Sequence, residues 1–264
     1  MGKKKNKKQL QKELEKLEKK QLAKKKNKKA KKAAKRQELT REKLLELSCG
    51  DLPYQPASKK VFGKKNYKRM KVLLAARVGK KRYKHSVGVA KTAKKLAKLY
   101  GYNPKVARMA GILHDWDKGL GVYEIRERAQ TLGVDLDPQI SENMPWLLHG
   151  PTAAAALRLE YPEFGEEVFQ AIARHTSGAA EMSPLDCIIY VADIIEPNRT
   201  FGDMKGIKRL RKEVGKVPLE QLYFDAFKYT FTFLVSRDRQ LYPETVDIWN
   251  SLMWKYGFVR TMKF

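Results

Sequence analysis

The chain has 264 residues, 42% of them apolar, enough for a substantial core in one large or two small domains. Lys and Arg number 56 against 29 acidic residues, but residues 1–84 hold 32 basic and 7 acidic side chains and residues 85–264 hold 24 and 22, so the net +27 divides into +25 and +2. No apolar run nears the roughly 18 residues of a membrane span, the first residues lack the apolar core of a signal peptide, and two isolated cysteines, Cys49 and Cys187, exclude a disulfide framework and thiolate zinc sites.

These features predict a cytoplasmic protein with a cationic front end and a nearly neutral body. Residues 3–48 are dominated by Lys, Glu, Leu, Ala and Gln, with Leu10, Leu14 and Leu17 forming an apolar stripe too thin for a core. The expectation is a disordered or loosely helical tail whose partner is RNA or another polyanion, bound by neutralising phosphates. No aromatic residue precedes Tyr54, so base stacking by this arm is excluded. Gly50, Pro53 and Pro56 mark a linker, which divides the chain into an extension over residues 1–57 and a folded domain over residues 58–264.

The body reads as all helical. Residues 67–79 form a first helix with Met70, Leu73, Leu74 and Val78 inward, and residues 82–100 a second with Val87, Ala90, Ala93, Ala97 and Tyr100 on similar spacing. His85 lies near the start of the second. Asn103 followed by Pro104 caps a third helix, which carries Val106, Met109, Ala110 and Leu113 inward and ends in His114 and Asp115. Residues 123–132 are a further amphipathic helix, residues 134–145 a loop, and residues 153–160 a helix preceded by His149, Gly150 and Pro151. His149 is therefore expected just before a helix, where the dipole favours an anion.

Phe164, Val168, Ile172 and His175 recur at helical spacing, which places His175 on an apolar face. Ser183 and Pro184 open a helix through Leu185, Ile188, Ile189 and Asp193. Asp193 falls on the buried stripe, where an unpaired charge costs several kcal/mol, so a metal or an arginine must stand beside it. Residues 204–214, 219–235 and 243–256 complete the helices, the middle one carrying aromatics that read as core rather than as a base-stacking box.

All four histidines of the chain occur in suggestive settings: RYKHS at His85, HDWDK at His114, LLHGP at His149 and ARHTSG at His175. With Asp193 they give the order H, HD, D, with two further histidines between the HD pair and the last Asp. The segments RYKHSVGVA, AGILHDWDK, LLHGP, AIARHTSG, YVADIIEPNR and YPETVDIWN resemble the HD-domain metal-dependent phosphohydrolases, and among them the YqeK family. The resemblance spans about residues 66–257 and excludes the basic extension. It implies an HD-domain helical bundle that hydrolyses diadenosine tetraphosphate symmetrically to two ADP, with iron as the metal, and it places a nucleotide-contacting loop at residues 236–241.

The residue types support metal chemistry without the resemblance. Imidazoles and carboxylates without thiolates suit iron, manganese, cobalt or zinc in an open site. Six candidate ligands, His85, His114, Asp115, His149, His175 and Asp193, are too many for one ion. Two ions roughly 3.5 to 4 Å apart, bridged by Asp115, would hold a hydroxide facing a phosphorus atom. Lys118 and Arg199 are expected to neutralise developing phosphoryl charge, and Thr176 to donate to a phosphate, with His149 and His175 also lining the substrate site. Competing readings are an HD phosphohydrolase for another nucleotide phosphate, or an RNA- or ribosome-associated protein acting through its basic arm.

Overall fold

The computed structural model describes residues 60–134, 138–199 and 202–257, so the arm at residues 3–48 and the linker after it lie outside the described residues. The body consists of helices α1 (Lys64–Arg77), α2 (Lys80–Leu99), α3 (Pro104–Leu113), α4 (Val122–Thr131), α5 (Pro138–Asn143), α6 (His149–Glu160), α7 (Glu166–Arg174), α8 (Pro184–Ile195), α9 (Met204–Glu213), α10 (Leu219–Val235) and α11 (Thr245–Leu252). No strand occurs among the described residues. The expected all-α class is what the body adopts.

Local chemistry sets several helix starts. The Asn103 side chain accepts from the backbone N–H groups of Lys105 and Val106 at the head of α3, and Pro104 occupies the first turn, where its missing N–H costs nothing. Ser183 and Asp186 form a reciprocal capping box on α8. α2 packs along α3 and α8, and α7 lies between α6 and α8. Small residues permit close helix approaches: a Cβ on Gly111 of α3 would sit 2.9 Å from Ala90 Cα on α2, and one on Gly150 would sit 2.9 Å from the Ala173 carbonyl on α7. Met70, Leu74, Ala90, Ala93, Ile112, Leu113, Ile188 and Ile189 are fully buried in one continuous core.

The aromatics of α10 belong to that core, with Tyr223, Phe224 and Phe227 buried and Tyr190 of α8 edge-on to Tyr223 at 5.1 Å. Four expectations need correction. Residues 134–145 are not a plain loop: Pro138 opens the short helix α5, and residues 145–147 form a tight 3-10 turn. The helix expected from residue 153 begins at His149, because Pro151 is tolerated in a first turn and Gly150 is the packing contact with α7 rather than a break. The last helix is shorter than residues 243–256, running Thr245–Leu252 before a wider π turn over Met253–Gly257. Finally, α1 starts at Lys64, before the expected position.

Candidate active site

Five helices bring the six candidate ligands to one place. His85 comes from the first half of α2, His114 and Asp115 from the turn that ends α3, His149 from the first position of α6, His175 from the C-terminal cap of α7 and Asp193 from the last turn of α8. The four histidines and Asp115 are all buried, whereas the Asp193 side chain is one-fifth exposed (20%) rather than buried as its apolar stripe predicts. His149 is thus inside the first turn of its helix rather than ahead of it.

Each imidazole is oriented by an acceptor on its Nδ1 side. Nδ1 of His114 lies 2.9 Å from the Gly111 carbonyl, that of His149 2.6 Å from the Trp146 carbonyl, and that of His175 2.6 Å from the Ile172 carbonyl. Nδ1 of His85 instead faces the Glu196 carboxylate at 3.1 Å. In the neutral form of each ring these partners place the proton on Nδ1 and direct Nε2 to the centre of the site. That is how metal-binding histidines are held, with one ring nitrogen tied to an outer acceptor.

Around Asp115 the ring nitrogens separate into two pairs. Oδ2 lies 3.2 Å from His114 Nε2 and 3.7 Å from His85 Nε2, while Oδ1 lies 3.3 Å from His149 Nε2 and 3.8 Å from His175 Nε2. Asp193 Oδ1 joins the first pair, 2.8 Å from His85 Nε2 and 3.7 Å from His114 Nε2. Two sets of donor atoms, His85 with His114 and Asp193, and His114 with Asp115 and His175, lie close enough together to hold a cation. Nε2 of His85 and of His114 are buried without an acceptable hydrogen bond, although carboxylate oxygens are near both. Nε2 of His149 and of His175 lie 3.0 Å apart, and imidazole nitrogens and carboxylate oxygens gathered this closely are a donor set that fits a divalent ion.

Electrostatics agree with that reading. Burial disfavours charge on His114, but the Asp115 and Asp193 carboxylates outweigh it and raise its pKa to about 10. His85 is also raised, against its burial, by Asp193 and Glu196. Burial, with His149 and His114 adding to it, takes His175 well below the usual imidazole range, and His149 is lowered by burial and by Lys118. Asp115 and Asp193 stay ionised in spite of burial, Asp115 held by His114 and Asp193 by Arg199.

The other expected residues also border the site. Lys118 Nζ lies 3.2 Å from His149 Nδ1 and 3.4 Å from the Trp146 carbonyl, and burial lowers its pKa. Arg199 donates to the Asp193 carbonyl at 2.8 Å and to Asp193 Oδ2 at 3.2 Å, supplying the cation that the sequence demanded. Thr176 Oγ1 is 3.0 Å from His175 Nε2 and 3.3 Å from His149 Nε2. Residues 236–238 form an exposed turn after α10, with Asp238 at φ 51°, and residues 239–241 continue without regular structure to the half-buried Leu241.

Sequence reasoning missed three supports. Glu196 is fully buried, faces His85, and accepts from the backbone and side-chain nitrogens of Asn198 at 2.7 and 2.9 Å. Arg82 pairs with Asp115 Oδ2 at 2.9 Å. Asp117 is clamped by Arg77 at 2.8 Å and Arg128 at 2.7 Å, and the Arg77 guanidinium stacks 4.6 Å from the Trp116 ring, which fixes the turn carrying Asp115. The only local signal was the Asp117 in HDWDK; the partners are distant in sequence.

Comparison with known proteins gives the same picture. The HD domain family matches residues 82–198. A symmetrical bis(5'-nucleosyl)-tetraphosphatase from Staphylococcus aureus is 37% identical over 188 residues, covering 70% of this chain and 93% of that protein. A protein of the same name from Halalkalibacterium halodurans is 37% identical over 172 residues, covering 65% and 89%. The crystal structure of a predicted HD superfamily hydrolase involved in NAD metabolism from Clostridium acetobutylicum is 35% identical with a TM-score of 0.65, covering 72% of this chain and 97% of that one. On the family match over residues 82–198 and the 37% identity to a relative covered over 93% of its length, the chain belongs to the HD-domain family of symmetrical bis(5'-nucleosyl)-tetraphosphatases.

Proposed function

We propose that this protein hydrolyses dinucleoside tetraphosphates symmetrically, converting diadenosine tetraphosphate and water to two ADP. The observation that supports it best is the division of Asp115, whose two oxygens face two different histidine pairs. In this reading His85, His114, Asp115 and Asp193 hold one ion and Asp115, His149 and His175 a second, with iron favoured and manganese, cobalt or zinc able to replace it. When bound, the metal supplies Lewis acidity toward phosphoryl oxygens and acidifies the attacking water.

The chain's own residues do the rest. Lys118 stands beside His149 and Arg199 beside Asp193, and both are assigned to charge that develops on the phosphoryl group. Thr176 is assigned to donate its hydroxyl hydrogen to a phosphate oxygen. Arg82 offsets the Asp115 charge, and the Arg77 and Arg128 clamp on Asp117 keeps the HD turn from shifting under that load. Water adds to one of the two inner phosphorus atoms, and the oxygen bridging them leaves with the other half, so both products are ADP. The basic residues 3–48 are assigned to RNA or another polyanion, and the protein to the cytoplasm; no described helix is long and apolar enough to cross a membrane. Chromatography of the products from diadenosine tetraphosphate, with full-length protein and each candidate metal, tests the reading. ADP alone is expected; ATP with AMP, or no turnover with any of the four metals, would overturn it.

A further inference from the structure

Residues 60–114 contain 17 Lys or Arg and no Asp or Glu, whereas residues 115–264 contain 18 basic and 22 acidic residues. The cationic character of the front half therefore does not stop at the linker but continues through α1, α2 and α3. On α2 it takes a definite form. At 3.6 residues per turn, Lys80, Lys84, Lys91, Lys95 and Lys98 fall within a sector of roughly 60°, a line roughly 27 Å long, and all five are exposed. His85 points to a different side of the same helix, into the site. The ion pairs of α2 are made by Arg82 and His85, not by this line.

Folding stability gives no reason for such a line. Lys80, Lys81 and Arg82 occupy the first turn of α2, and no acidic residue is there, although positive charge at that end opposes the helix dipole. Lys80 with Lys84, and Lys91 with Lys95, are like charges four residues apart and repel. A ligand carrying regularly spaced negative charge reverses both effects and releases counterions on binding. The line consists only of lysines, without the Asn, Gln or Arg that read base edges, so it suits phosphates rather than sequence. It also lacks the aromatic anchors of a membrane surface: the exposed Tyr123, Trp146 and Trp254 lie on other segments, and Leu99 is the one large apolar side chain exposed on α2.

We propose that the lysine line of α2 is a docking surface for the phosphate backbone of structured RNA, carried by the folded body and distinct from the active site. The test uses the full-length chain with Lys91→Glu, Lys95→Glu and Lys98→Glu combined, and Lys228→Glu on the exposed side of α10 as a control. Binding of a fluorescent RNA hairpin is followed by anisotropy between about 50 and 200 mM salt. The triple variant should lose about tenfold or more in affinity and flatten the dependence of log affinity on log salt by about two to three, with nucleotide hydrolysis unchanged. The corresponding triple Lys→Gln variant should lose affinity in the same direction but less, and Lys228→Glu should stay within about twofold of the parent. Parental affinity and salt slope in the triple Glu variant would overturn the proposal, because residues 3–48 would then carry all the binding. So would an equal loss in the Lys228→Glu control, or tight binding to phosphatidylserine vesicles without binding to RNA.

Discussion

Glu196 and His85, 111 residues apart in the chain, meet at 3.1 Å between Oε1 and Nδ1. The carboxylate is fully buried, is itself held by Asn198, and has room only because residue 88 is glycine: a Cβ there would lie 2.0 Å from Glu196 Oε2. It therefore fixes the direction in which His85 presents its free nitrogen. Glu196→Gln should weaken metal binding by about 10- to 100-fold, read as a shift in a metal titration, and Gly88→Ala should act in the same direction. Unchanged metal affinity in both variants would remove this role from Glu196.

His114→Ala and Asp115→Ala should each abolish bound metal and turnover while circular dichroism still reports a helical protein. His114 is fully buried and Asp115 nearly so, but each lies at the polar centre, where truncation removes a ligand rather than core packing. Parental activity with stoichiometric metal in either variant would show that the ligands have been misassigned.

Lys118 and Arg199 should separate under mutation. Lys118→Ala should lower turnover by roughly ten to a thousandfold with metal content unchanged, since its nitrogen touches only the outer side of His149 and a backbone carbonyl. Arg199→Ala should lower both, because Arg199 bonds the Asp193 carboxylate directly. Loss of metal without loss of turnover per bound metal in Lys118→Ala would contradict its assigned part.

The pH dependence of metal binding follows from His114. Its neighbours Asp115 and Asp193 raise its pKa to about 10, so below that pH a proton occupies the lone pair that a metal needs. His149 and His175 are lowered and compete little at neutral pH. Because His85, raised by Asp193 and Glu196, also holds its proton more tightly than a free imidazole, apparent metal affinity should rise by at least about tenfold per pH unit from pH 6 to 9, with proton release on binding. Activity should fall toward and below about pH 6. Titration calorimetry in buffers of different ionisation enthalpy measures the released proton; no release at pH 8 would contradict imidazole ligation by His114.

Much of the site was legible because its ligands sit at helix positions that the 3.6-residue period exposes. Asp193, four residues after Ile189 on an apolar stripe, announced a charge in need of a partner, and Arg199 stands beside it, although the side chain is only partly buried. What was hidden depends on contacts between distant segments. Nothing in the spacing around Glu196, which stands just past the end of α8, points to a histidine 111 residues earlier. Arg82 was lost among the many basic residues near it, though it alone of them pairs with Asp115. The start of α6 at His149 rather than at residue 153 depends on the fold, because Gly150 is a close packing contact with α7 and Pro151 a permitted first-turn residue.

The arrangement of Asp115 between two histidine pairs is tested most directly by electron paramagnetic resonance of the full-length protein titrated with Mn²⁺. Binding should saturate at two ions per chain, with a spin-coupled spectrum that Asp115→Ala eliminates. Saturation at one ion with an isolated six-line spectrum, unaffected by Asp115→Ala, would contradict a carboxylate shared between two cations.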